Sequence, residues 1–184
     1  NYDHLIEKID GFIRKYYLNK MVRGSIYLAT VLFVGYLLLV FAEYYGNFSS
    51  TVRTGFVYGF ALGMLSILFY YMVIPALSYF KLGKIISSEQ ASELIGAHFG
   101  DIKDKLLNTL QLKRLADNHP AHLALIEASI NQKMAELRLI PFSAAIQLRE
   151  NRPYLKFALA PLIFILLIAV IAPSIIRDST QRLI

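Results

Sequence analysis

The chain has 184 residues, 56% of them hydrophobic, with a formal net charge of +6 and a mean hydropathy of +0.48. That is more apolar than a soluble domain of this size usually is, and it places the chain among membrane proteins. With no Cys, thiolate catalysis, Cys metal sites and disulfides are excluded.

The charge is sharply partitioned. Three runs are almost purely apolar, and nearly every Lys, Arg, Asp and Glu lies between or before them. Lys and Arg beside membrane spans set topology and meet anionic headgroups, so the basic balance points to membrane lipid and not to nucleic acid. Trp is absent, which leaves the 12 Tyr as interface aromatics.

Residues 1–23 hold an amphipathic helix. Leu5, Ile9, Phe12, Ile13, Tyr16 and Tyr17 recur at helical spacing with Lys8, Arg14 and Lys15 between them. Gly11 weakens this helix by about 1 kcal/mol relative to Ala. The preferred expectation is a helix lying in the membrane interface, and the alternative is packing on the rest of the polar part.

Residues 24–80 are expected to form a transmembrane hairpin. Its first span covers 25–42, opened by Lys20 and Arg23 and closed by Glu43, Tyr44 and Tyr45. Glu43 stands at the edge of the apolar run, so it need not act as an intramembrane acid. The loop 46–53 holds the turn formers Gly46, Asn47, Ser49 and Ser50.

The second span covers 54–80 and contains no Asp, Glu, Lys, Arg or His. At about 1.5 Å per residue it crosses a hydrocarbon core of roughly 30 Å with length to spare. Gly55, Gly59 and Gly63 follow at four-residue spacing, with Ser66 one turn on, giving a face of bare backbone suited to close helix packing. Packing against the first or third span is the favoured reading, and homo-oligomerisation the alternative. Gly35 has no partner at this spacing and is expected to matter less. Pro75 should kink or end the span.

Residues 81–153 are the sizeable polar region, expected to be a small cytoplasmic helical domain. Ser87 to Gln90 reads as a capping box before a helix reaching His98. A second helix is expected over 101–116, a third over 121–139 after Asn118-His119-Pro120, and a short one from Ser143 to Arg149. Leu106, Leu107 and Leu110 make one apolar stripe, and Ile126, Ile130 and Met134 another. Stripes at helical spacing are usually core, so these are expected to bury each other, with any uncovered part serving as a partner surface.

The third span is expected within 154–177, over about 157–176, with Pro161 in its first turns and Pro173 near its end. Residues 178–184 read as the start of an extracytoplasmic tail. Lys and Arg cluster before the first span and in 81–156, against only Arg53, Arg177 and Arg182 on the other side. That asymmetry places the N-terminus and helical domain in the cytoplasm.

No chemistry stands out. His119 and His122 have helical metal spacing but no nearby third ligand, and Asp101 with Asp104 suits a helix start. Proton relays and substrate paths in membranes usually need ionisable residues inside the spans, and these have none. An enzyme is not expected, nor a metal or cofactor.

The run Lys103-Asp104-Lys105-Leu106-Leu107-Asn108-Thr109-Leu110-Gln111-Leu112 is distinctive. With the opening Tyr2-Asp3-His4-Leu5-Ile6-Glu7-Lys8 and with Ile126-Glu127-Ala128-Ser129-Ile130, it resembles the N-terminal part of an uncharacterised family of large bacterial inner-membrane proteins. That resemblance implies three N-terminal spans followed by a long extracytoplasmic region, and it brings no catalytic residues. The expectation is therefore an all-α integral membrane protein with three transmembrane helices, acting as an inner-membrane scaffold that binds protein partners. The alternative is an accessory subunit of an envelope transport or secretion complex.

Overall fold

A computed structural model of the chain describes residues 2–118 and 123–183, with the side chains at 101, 116–118, 123–127, 134 and 135 outside that description. Every regular element among the described residues is helical. The order is α1 (Tyr2–Gly46), α2 (Ser50–Leu68), a π-helical segment (Phe69–Val73), α3 (Ile74–Tyr79), α4 (Ser88–His98), α5 (Lys103–Asn118), α6 (Leu123–Leu137), α7 (Arg152–Ile171) and α8 (Pro173–Leu183). Three helical stretches, Tyr2–Gly46, Ser50–Tyr79 and Phe142–Ile171, are long and apolar enough to cross a membrane. Only 6% of the apolar window of each is buried by the rest of the chain, so hydrocarbon or another protein must cover the remainder.

The chain divides into two compact units. The helical unit comprises Asn1–Asn19 and Leu77–Gln147, and the apolar-helix unit comprises Lys20–Ala76 and Leu148–Ile184. α1 therefore contributes its opening turns to the first and its remainder to the second.

The core of the helical unit gathers Leu5, Ile9, Phe12, Ile13 and Tyr17 of α1 with Ala91 and Ile95 of α4, Leu106 and Leu110 of α5, Ile130 and Leu137 of α6, and Phe142. The amphipathic face expected to dip into the membrane interface is thus buried in protein. A stripe at i, i+4, i+7 and i+8 satisfies its need for an apolar partner equally well against other helices. Tyr17 also fixes the chain entering α4: its hydroxyl accepts from the Ile86 N–H at 3.0 Å and donates to the Lys84 carbonyl at 3.4 Å.

Local signals decide the ends of these helices. Ser87 caps α4 by accepting from the Gln90 N–H at 3.2 Å, while the Gln90 side chain accepts from the Ser87 N–H at 3.0 Å. This is the expected capping box. α3 ends in a Schellman motif. The Lys81 N–H donates to the Ser78 carbonyl and the Leu82 N–H to the Leu77 carbonyl, with Lys81 left-handed at φ 60°. A glycine would occupy that position without Cβ strain. Lys81 is held there by Asp10, whose carboxylate lies 2.6 Å from its ammonium.

Elsewhere the boundaries differ from expectation. The helix expected from Ser143 to Arg149 is replaced by 3₁₀ turns at Phe142–Ala145 and Leu148–Asn151, because Ile146 is extended between them. The third span stops at Ile171 rather than 176. Pro173 pushes the preceding Ala172 out of the helical region, to φ −139° and ψ 67°, and then opens α8 as its first residue. α7 begins at Arg152, so Pro161 lies inside it, not in its first turns, and has no N–H for the carbonyl four residues back.

The two stripes proposed as partner surface are mostly core. Leu106, Leu110 and Ile130 are buried and Leu107 is half-buried, while the side chains of Ile126 and Met134 lie outside the described residues. Leu106→Ala should destabilise the helical unit by about 2–5 kcal/mol, and Leu107→Ala by clearly less. Thermal unfolding of the full chain in detergent would check the order, and equal losses would contradict this core.

Exposed ion pairs tie the helices. Arg114 reaches Glu89 at 2.9 Å and Lys105 reaches Glu136 at 2.5 Å. The Glu89 carboxyl is held below the usual carboxylate range by its own backbone N–H first, then by the Ser87 hydroxyl and Arg114. Glu136 is lowered by its bond to Lys105. Groups with depressed folded values stabilise above the unfolded pKa of about 4.3, and that stabilisation is lost as pH falls through the folded values. Glu89→Gln should therefore flatten the loss of helical stability below about pH 4, read as unfolding midpoint against pH.

Candidate functional site

The apolar-helix unit is pinned at both ends. At one end Gly24 of α1 faces the backbone of Tyr71. A Cβ at position 24 would lie 2.5 Å from the Tyr71 carbonyl oxygen. That carbonyl belongs to the π-helical segment, in which the Ile74 N–H donates to Phe69, five residues back. Pro75 has no N–H, so it cannot close the ordinary bond to Tyr71. The expected effect of Pro75 on the span is thus a π segment, with the helix continuing to Tyr79.

Aromatic rings from three helices meet beside this contact. Tyr27 sits edge-on to Tyr71 at 5.7 Å and to Tyr154 at 6.0 Å. Arg23 lies over the Tyr154 ring at 5.2 Å and donates from Nε to the buried Asn151 side chain at 3.0 Å. The arrangement combines cation–π attraction with a charge-assisted hydrogen bond.

The other end holds a polar cluster that the sequence reading missed. Glu43, expected merely to edge the membrane, is buried, and Arg53 Nε stands 3.7 Å from its Oε1. At that separation the pair is ionic but not hydrogen-bonded, and neither Glu43 Oε2 nor Arg53 Nε has a hydrogen-bond partner among the described residues. Arg53 donates instead to the Arg182 carbonyl at 2.9 Å, Arg182 donates to the Asn47 side chain at 2.5 Å, and the Tyr36 and Thr180 hydroxyls meet at 2.8 Å. Of the stretch expected to begin a tail, residues 178–183 belong to α8, whose Ser179 is buried. The signal was present: Ile176, Thr180 and Leu183 share one helical face.

The glycine face is placed differently from expectation. Among the described residues, Gly55, Gly59 and Gly63 have no atom within 4 Å of where a Cβ would stand, and Ser66 is exposed with its hydroxyl donating to the Leu62 carbonyl of its own helix. Intramolecular packing of this face is therefore overturned. The close helix approach uses Gly24 and Gly35 instead, Gly35 abutting the Phe60 ring. These two lie eleven residues apart, three helical turns to within about 20°.

Outside this unit, His119 and His122 fall beyond the described residues, as does the Asp101 side chain. Asp104 stands in the first turn of α5. Among the described residues, no group of three His, Asp or Glu side chains is placed to hold a metal.

Gly24→Leu should lower the unfolding temperature of the detergent-solubilised monomer most, because it meets main chain. Gly35→Leu should cost somewhat less, as a ring can turn, and such overpacking typically costs about 1–3 kcal/mol. Gly59→Leu should leave the monomer unchanged, and a Gly59→Leu loss equal to that of Gly24→Leu would contradict the arrangement. Comparison with protein-family models, with curated proteins and with solved structures gives no match.

Proposed function

We propose that the protein is a membrane-anchored scaffold of the bacterial inner membrane that presents its helical unit to a protein partner. One observation carries this reading. A single helix, α1, supplies both the buried face of the helical unit and an apolar stretch long enough to cross a bilayer. A folded polar unit and an apolar anchor thus draw on one helix. The excess of Lys and Arg in that unit favours a cytoplasmic position for it. The resemblance to large inner-membrane proteins of unknown role agrees with it.

A second reading is an accessory subunit of an envelope transport or secretion complex. The uncovered face of Gly55, Gly59 and Gly63 favours it, since small residues admit close approach by another apolar helix. Affinity purification from native membranes with mass spectrometry separates the two. Channel or ATPase chains recovered with wild type but lost with Gly59→Leu support the subunit reading. A soluble or peripheral partner retained by Gly59→Leu supports the scaffold, and no reproducible partner would sink both.

Orientation is open to a direct check. Cysteines at the exposed positions Ser49 and Gln181 should react with an impermeant thiol reagent in intact spheroplasts, and one at Asn108 should react only after lysis. Labelling of Asn108→Cys before lysis would reverse the proposed topology.

A further inference from the structure

Within the helical unit, Lys8 and Gly11 of α1 and the segment 138–143 line an open cleft of about 550 Å³. That is within the usual range of small-molecule sites. Gly11 is unexpected in a helix interior, where glycine is destabilising relative to alanine. No packing demands it, for nothing lies within 4 Å of where its Cβ would be. Its missing side chain leaves the floor of the cleft open.

The cleft is positively charged. Lys8 donates to the carbonyls of Arg138 and Ile140, and its ammonium lies 5.5 Å from the Phe142 ring centre. Of its three N–H donors, one makes no hydrogen bond among the described residues. Nearby, Lys15 donates to the carbonyl of the lining residue Ser143 at 2.8 Å. Arg138 is exposed and makes no ion pair among the described residues. Of the acids on this part of α1, Asp10 pairs with Lys81, and Glu7 lies 3.5 Å from the His4 ring. Burial first and the Arg138 charge second hold the Lys8 pKa below the ordinary lysine value, the expected effect of a cation with no anion beside it. Leu139, 86% exposed, adds an uncovered apolar wall next to these charges.

We propose that this cleft binds a phosphate monoester, the dianion seated between the Arg138 guanidinium and the free N–H of Lys8 and the organic part against Leu139. Two cations with a third nearby match a dianion better than a single carboxylate, and the planar guanidinium fork engages phosphate oxygens in pairs. The phosphate can come from a soluble metabolite or from the headgroup of a lipid such as phosphatidic acid. This inference goes beyond the scaffold reading and stands without it.

The full chain in phosphatidylcholine nanodiscs would be titrated calorimetrically with glycerol 3-phosphate. It would also be tested for co-flotation with vesicles containing phosphatidic acid against vesicles of phosphatidylcholine alone. Arg138→Gln should weaken binding by about tenfold or more, the loss of one charge-assisted pair. Gly11→Leu should do the same by filling the cleft with no change of charge. Because it replaces an exposed mid-helix glycine, an unchanged or raised melting temperature will show that the fold survives. Arg149→Gln, outside the cleft, serves as the charge control. Binding of glycerol 3-phosphate that both cleft variants reduce supports a soluble source. Flotation with phosphatidic acid alone, reduced by both, supports a lipid source. Failure of both probes, insensitivity to Gly11→Leu, or an equal loss with Arg149→Gln would overturn the site.

Discussion

Pro75 has no N–H to give to the Tyr71 carbonyl, and the apolar-helix unit is arranged around that missing bond. In water a freed carbonyl finds solvent. In hydrocarbon it must be met by protein, because an unsatisfied backbone group there costs several kcal/mol. The helix responds by widening into a π segment over Phe69–Val73, and α1 brings Gly24 against the same carbonyl. A side chain at position 24 would collide with the Tyr71 backbone. Gly24 thus meets the backbone one turn before Pro75, at the carbonyl that the proline cannot bond. The Tyr27, Tyr71 and Tyr154 rings then close over it, and Arg23 ties in the helix that follows.

The helical unit depends on a different constraint. It is small, and three short helices leave little room for a core. The opening turns of α1 fill the deficit with Leu5, Ile9, Phe12, Ile13 and Tyr17. A helix that continues as a long apolar stretch has its start fixed by neighbours on one face. Its flank carrying Lys8, Gly11 and Lys15 is less tightly packed and meets the segment 138–143 across an open cleft.

What could be read from the sequence followed from uninterrupted runs and short local patterns. The lack of charge through the second span needed only a length, and Ser87 with Gln90 needed only a spacing of three. Amphipathic patterns showed that Leu5, Ile9 and Phe12 share a face but not what covers it, since lipid and protein attract an apolar stripe alike. The Gly55, Gly59 and Gly63 repeat drew attention because four-residue spacing is conspicuous. Gly24 and Gly35 share a face just as well at eleven residues, yet their partners, the Tyr71 backbone and the Phe60 ring, are set by tertiary approach. The stop at Ala172 was legible in Pro173. The spacing of Ile176, Thr180 and Leu183 was legible too, but the hydroxyl partner of Thr180 lies far away along the chain on α1.

The buried Glu43 and Arg53 bear on how such a chain enters a bilayer. They flank the connection Asn47–Ser49, so closing the hairpin alone is enough to bring them near each other. In the orientation proposed, this connection must be carried through the hydrocarbon during insertion. Carried singly, each charge costs several kcal/mol at the bilayer centre on insertion scales. Moved as a neutral pair, much of that barrier is cancelled by their mutual attraction in a medium of low dielectric constant. The pair then has its largest effect on the rate of translocation, with little net effect on the stability of the finished fold, where the desolvation of two charges offsets what they gain from each other.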